Sequence, residues 1–235
     1  MYDFIIRIAD LNIKITTEYE FTKKNCKDYL AYDCVPDFCV SVTEQEIRAE
    51  SDSPNNLGYL ESLAVYRKIA ENLARYDAFL MHASVLDIDG YGVAFCAKSG
   101  TGKTTHTLLW KSLFGERCQI VNGDKPIIRF IDGIPYAFGT PYCGKENLSA
   151  NMKTPIKALG FINRSEKNAV TALEENAALK ELFKVCHIPK HSENALKTID
   201  LIGDFLNKTD IYNIYCNMEK EAAEVSSKSL LNKIR

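Results

Sequence analysis

Apolar residues alternate with other positions along Tyr2, Phe4, Ile6 and Ile8, and again along Leu11, Ile13 and Ile15, with Ala9-Asp10 between the runs. Period two marks strands that bury one face, so the short gap predicts a hairpin. The stretch FCVSVTEQEIRAE, Phe38 to Glu50, predicts one or two more strands before the turn-rich ESDSPNNLG breaks the pattern. Residues 1–52 thus read as a small β-rich unit, and 53–235 as the main domain.

From Leu57 to Tyr76 the period changes. Tyr59, Leu63, Tyr66, Ala70 and Leu73 recur at steps of three and four, which predicts a packed rather than catalytic helix. FLMHASVLDIDGYGVAFCA then holds two β runs around Asp89-Gly90, a dipeptide suited to a tight hairpin turn. A helix from Lys103 to about Phe114 follows, with strands near Gln119 to Asn122 and Pro126 to Ile131 and a turn at Asp132-Gly133. FGTPYCGKENLSANMKTP is either a lid over a substrate or an irregular surface loop. IKALGFIN reads as a buried strand, with helices near Thr171 to Val185 and Asn194 to Leu206, the strand DIYNIYC, and a last helix from about Glu219. The expected fold is α/β, a mixed sheet with helices plus the N-terminal β unit.

The 235 residues suffice for a substantial core, and 29 basic against 31 acidic side chains argue against a broadly basic nucleic-acid surface. The eight cysteines contain no CxxC pair, the start lacks a secretory pattern, and no apolar run approaches a membrane span. These features lead us to expect a cytoplasmic protein with neither nucleic-acid nor membrane partners.

The candidate chemistry lies in AFCAKSGTGKTTHTLLW, residues Ala94 to Trp110. A glycine-rich turn between a strand and a helix presents backbone N–H groups and the positive helix end to phosphate. Gly100, Gly102, Lys103 and Thr104 occupy the places of the Walker A pattern, but Ala97 stands where the first glycine is expected. If Ala97 had a positive φ it would cost on the order of 1 kcal/mol. In a nucleotide site Lys103 neutralises phosphate charge and Thr104 ligates magnesium. Asp124, in QIVNGDKPII, follows Lys103 by one helix and one returning strand, so it is a candidate metal ligand or catalytic carboxylate. The other reading makes it a residue of an Asn-Gly-Asp turn.

HASVLDIDGYGVAFCAKSGTGKTTHTLLW followed by IVNGDKPIIR resembles the catalytic domain of HPr kinase/phosphorylase, and SGTGKTT is similar to the kinase loop of ATP-dependent phosphoenolpyruvate carboxykinase. The resemblance runs from about Phe79 to Arg164. It implies an ATP- and Mg2+-dependent kinase with a phosphate cradle of Ser99, Gly100, Thr101, Gly102 and Lys103. Thr104 is then a metal ligand, Thr105 a possible α-phosphate contact, and His82 the histidine on the strand before the loop. Asp124 matches the second member of the family's acidic pair, and Gly123 replaces the first. The Glu-Ile-Arg-Gly-Leu-Gly signature of true HPr kinases is missing, and the chain is too short for a carboxykinase substrate domain. Another acceptor, a small-molecule or peptide hydroxyl, is therefore expected, with a homo-oligomer suggested by analogy alone.

Lys125, Lys145 and Arg164 are candidates for contacting substrate or phosphate, and each reads equally as an exposed basic side chain. His82 is either a hydrogen-bonded core residue or a proton-exchanging group beside the loop. The competing function is a nucleotide-gated NTPase or peptide-binding module, distinguished by nucleotide consumption that does not depend on an acceptor.

Overall fold

A computed structural model describes residues 1–51 and 56–231; the domain boundary expected at residues 52 and 53 lies outside them. Along the chain the elements are β1 (Tyr2–Ile8), β2 (Leu11–Thr17), α1 (Phe21–Asn25), β3 (Leu30–Ala31), β4 (Phe38–Ser41), α2 (Glu44–Arg48) and α3 (Leu57–Asn72). There follow β5 (Ala78–Leu80), β6 (Ser84–Ile88), β7 (Tyr91–Cys96), α4 (Lys103–Phe114), β8 (Cys118–Asn122), β9 (Ile127–Ile131) and β10 (Ile134–Phe138). The chain continues through β11 (Lys153–Arg164), β12 (Ala169–Ala172), α5 (Glu175–Val185), α6 (Ser192–Lys208), β13 (Asp210–Cys216) and α7 (Lys220–Leu230).

The first four strands form one sheet in the order β3-β1-β2-β4. Ala9 and Asp10 adopt φ of 52° and 56°, the left-handed pair that lets a two-residue turn follow the twist of the hairpin. Ile6, Ile13 and Ile15 pack with Val65, Ile69 and Leu73, so the first core lies between this sheet and the α3 segment.

The second sheet is mixed and has nine strands, with β5-β9-β10-β11-β7-β6-β8 as its main path and β12 and β13 joined through β11. β11 pairs with β10 near its start, then runs parallel to both β7 and β13, with a register shift between Ile156 and Ala158. Adjacent residues of these strands face opposite cores. Val85 and Ala94 pack with Leu182 and Phe205 from α5 and α6, whereas Leu86 and Phe95 pack with Trp110 and Leu230 from α4 and α7. Helices thus cover both faces, as expected when parallel strands are buried.

Four expectations change. The second strand expected within Phe38 to Glu50 is helix α2: Thr43 accepts from Glu46 N while the Glu46 side chain takes the Thr43 amide, and this reciprocal cap starts a helix. Thr171 belongs to β12, antiparallel to β13, and the helix starts only at Glu175. On α3 Tyr66 and Ala70 are buried as expected, as is Leu73 just beyond it, but Leu60, Val65 and Ile69 join the packed face while Tyr59 is exposed and Leu63 half-buried. The loop after β10 is not a surface loop throughout: Gly139 to Cys143 are buried, and only Gly144 to Asn147 form an exposed tip. Among the described residues, no helix is long and apolar enough to cross a membrane, and all eight cysteines are free thiols.

Candidate active site

Strand register brings three distant segments together. Ser84 pairs with Phe95 and Val85 with Asn122, so the start of β6, the end of β7 and the end of β8 share one edge of the sheet. His82 precedes β6, Lys103 follows β7 and Asp124 follows β8. Parallel β11 ends beside β7, which brings Arg164 to the same region. This is the carboxyl end of the parallel strands, where open α/β sheets place their ligands.

The loop from Ala97 to Gly102 closes on a Thr101 N to Lys98 O hydrogen bond of 3.0 Å. Gly100 and Gly102 adopt φ of 74° and 120°. A Cβ at either would meet nothing within 4 Å, so glycine is required by backbone conformation rather than by space. Ala97 is not among the residues with positive φ, so the feared strain is absent. Helix α4 begins at Lys103 with no side-chain cap and no acid in its first turn. Its first N–H groups and the positive end of its dipole are thus left to an anion.

Asp124 is the hub. Its Oδ1 accepts from Lys103 Nζ at 2.8 Å and lies 2.9 Å from His82 Nε2, and its Oδ2 accepts from Lys125 Nζ at 2.7 Å. Burial opposes ionisation of this carboxyl, but the bonds from His82, Lys103 and Lys125 outweigh it and hold the group well below the usual carboxylate range. His82 is not the strand residue expected. It sits between β5 and β6, its amide donates to Val185 O at 2.7 Å, and its side chain is 43% exposed.

Asn122 fixes Asp124 from behind. Fully buried, it accepts from the Asp124 and Lys125 amides at 2.9 and 2.8 Å and donates to Thr140 O at 3.1 Å. Asp124 is therefore both a turn residue and the centre of the cluster, so the turn does not take it away from the cavity. Gly123 has its own cause, because a Cβ there would lie 2.8 Å from Cys143 O. Tyr66 and Tyr142 stack at 3.7 Å, and Tyr66 donates to Lys125 O at 2.7 Å, so α3 braces the same loop.

The cluster opens into a cavity of about 1170 Å³. Ser99, Gly100, Gly102, Lys103, Thr104 and Thr105 line it, together with His82, Asp124, Lys125 and, from the exposed tip, Lys145. Thr101 and Arg164 do not. Arg164 donates to Thr101 O at 3.1 Å and also to Gly100 O, so it holds the loop instead of facing the cavity. It borders a second recess of about 550 Å³, which Gly102 and Thr105 share with the first. His106 is 2% exposed and accepts from Trp110 Nε1 at 3.2 Å, which makes it a core residue of α4. Asn122, Thr140 and Tyr142 went unread in the sequence, where only the Asn-Gly-Asp turn signalled the first, and Tyr66 was read only as a packed residue of its helix.

Asp124 and Thr104 offer hard oxygen donors on the cavity wall, whereas no group of three or more His, Cys, Asp or Glu among the described residues could hold a metal. This donor set suits magnesium, which takes one or two protein oxygens and completes its shell with phosphates and water.

No family model matches the chain, and no curated protein matches its sequence. Among solved structures, the HPr(Ser) kinase/phosphatase from Coxiella burnetii overlaps with a TM-score of 0.37 at 12% identity, over 66% of this chain and 95% of that one. It is a distant structural neighbour, and neither a family nor an activity follows from it.

Proposed function

We propose that the chain is a magnesium-dependent kinase that binds ATP at Ser99 to Thr105 and transfers the γ-phosphoryl group to a hydroxyl. The observation that carries this reading is the contact of Lys103, His82 and Asp124 at the uncapped start of α4, on the floor of a cavity of about 1170 Å³. A helix start of this kind with a lysine suits phosphate, and an adjacent ionised carboxylate suits phosphoryl transfer.

In the reaction, Lys103 leaves Asp124 for the phosphate oxygens and stabilises their charge. Thr104 and Asp124 would hold magnesium, which would supply charge neutralisation to the phosphates. Asp124 orients the acceptor hydroxyl. The acceptor oxygen bonds to the γ-phosphorus as the bond to the bridging oxygen breaks, its electron pair staying with ADP. The hydroxyl proton passes to the Asp124–His82 pair. Lys125 and Lys145 face the same space and supply positive charge to an anionic acceptor.

Calorimetry and labelled-ATP transfer across a panel of hydroxyl metabolites and peptides test this function. Lys103→Ala should weaken ATP binding about 100-fold, the loss of a desolvated charge pair. Asp124→Asn should bind ATP within a few-fold of wild type and lose transfer. Unchanged turnover in both variants sinks the assignment, and ATP consumption indifferent to every acceptor favours the nucleotide-gated reading.

A further inference from the structure

The cavity has two unlike kinds of lining. Lys103, Asp124 and His82 are charged or polar, while Phe21, Tyr59 and Leu63 add apolar wall to the same space. Phe21 opens α1 in the N-terminal unit, and Tyr59 lies in the first turn of α3. Their rings meet edge to face, 5.9 Å between centroids and 86° between planes. Phe21 nevertheless remains 38% exposed and Tyr59 46%. Two large rings held together yet left open in a recess form a surface for an apolar group.

The placement is built into the backbone. A Cβ at Gly58 would lie 3.0 Å from Phe21 Cβ and 3.2 Å from Tyr19 Cβ, so glycine lets the segment leading into α1 sit close on α3. Glu61, 1% exposed, accepts from the Glu18 and Tyr19 amides at 2.7 and 3.1 Å and ties that segment down. The segment carrying Phe21 is thereby fixed on α3, beside the cavity that Phe21 shares with the phosphate loop.

We propose that Phe21 and Tyr59 select the phosphoryl acceptor, a hydroxyl compound that carries an aromatic ring. The ring packs against the pair while the hydroxyl reaches Asp124; the inference rests on the kinase reading above. An edge-to-face pair presents both an edge and a face, the two partners that a third ring prefers. A separate recess of about 550 Å³ beyond Gly102 and Thr105 is open to the nucleoside.

Saturation-transfer NMR on the full chain with ADP and magnesium compares phenylpropanol with propanol, which offer the same hydroxyl with and without a ring. Phenylpropanol should bind and propanol should not. Phe21→Ala and Tyr59→Ala should each weaken the ring's binding on the order of tenfold, with ATP affinity unchanged by calorimetry. Both side chains are exposed, so the fold should tolerate their loss. If either alanine variant melts early, Phe21→Leu and Tyr59→Leu keep the bulk without the ring and serve the same comparison. Equal binding of the two alcohols, ring binding indifferent to the substitutions, or displacement of phenylpropanol by adenosine alone overturns the proposal. A wild-type chain that fails to bind ATP overturns the kinase reading instead, whatever the ring does.

Discussion

Asn122→Ala separates a positioned carboxylate from one that merely lies in a turn. Asn122 is fully buried, its Oδ1 serves two backbone amides at 2.9 and 2.8 Å, and its Nδ2 serves Thr140 O and Oγ1, both at 3.1 Å. Alanine strands the Asp124 and Lys125 amides, at about 1 kcal/mol each, or about 2 kcal/mol in all, while the Thr140 carbonyl keeps its bond from Ser149 Oγ at 2.8 Å. That is a large part of a typical stability of roughly 5–15 kcal/mol. For a chain of this size it corresponds to a fall in Tm of about 4–8 °C. With the turn loosened, Asp124 loses its fixed direction, so phosphoryl transfer should fall about 100-fold as orientation is lost. ATP affinity should change little, because the phosphate loop is anchored elsewhere. Asn122→Asp is the control: it keeps the acceptor for both amides, so transfer should exceed that of the alanine variant, while the buried carboxylate facing Thr140 O lowers the melting temperature. The readouts are a thermal melt and single-turnover transfer. An alanine variant that melts and transfers like wild type would falsify the bracing role.

Two further predictions follow from charge and geometry. Burial pushes the His106 imidazole down to about 4 from an ordinary 6.5. A folded value below the unfolded one means that the unfolded chain takes up the proton first. The stabilisation is thus complete above about pH 6.5 and is lost as pH falls towards 4, by about 3 kcal/mol. Urea titrations at stepped pH should show this loss in wild type and not in His106→Gln; a flat wild-type profile would contradict it. Arg164→Lys removes the fork that spans the Gly100 and Thr101 carbonyls. Calorimetry should then show ATP binding weakened about tenfold with little change in melting, and an unchanged affinity would mean that the loop holds itself.

Local patterns in the sequence located what local chemistry determines. The hairpin turns at Asp89-Gly90 and Asp132-Gly133 adopt positive φ in the folded chain, and α4 runs from Lys103 to Phe114, the helix expected after the glycine-rich loop. Local conflicts were harder: TEQE reads as alternation until the reciprocal bonds of Thr43 and Glu46 are seen. Tertiary contacts were not legible. Whether Gly139 to Cys143 lie under the sheet edge depends on strands remote in sequence, and polar residues rich in Gly and Pro look like surface in isolation. The same limit applied to the candidate site. Its phosphate loop is a contiguous string, but Asn122 behind Asp124, Arg164 on the loop carbonyls, and Phe21 facing Tyr59 exist only once the strands pair.

The ties on Asp124 also determine what the pocket does to a visitor before any reaction. Lys103 and Lys125 against one carboxylate leave a surplus of one positive charge, 2 − 1, at the cavity floor. Long-range attraction should therefore speed the arrival of anions, and added salt should slow it over a Debye length of about 10 Å at 0.1 M. Capture is an exchange of partners, not a simple gain: an anion that draws Lys103 away leaves Asp124 short of one counter-charge. An anion escorted by its own cation makes good that deficit, so the floor discriminates by the company a phosphate keeps.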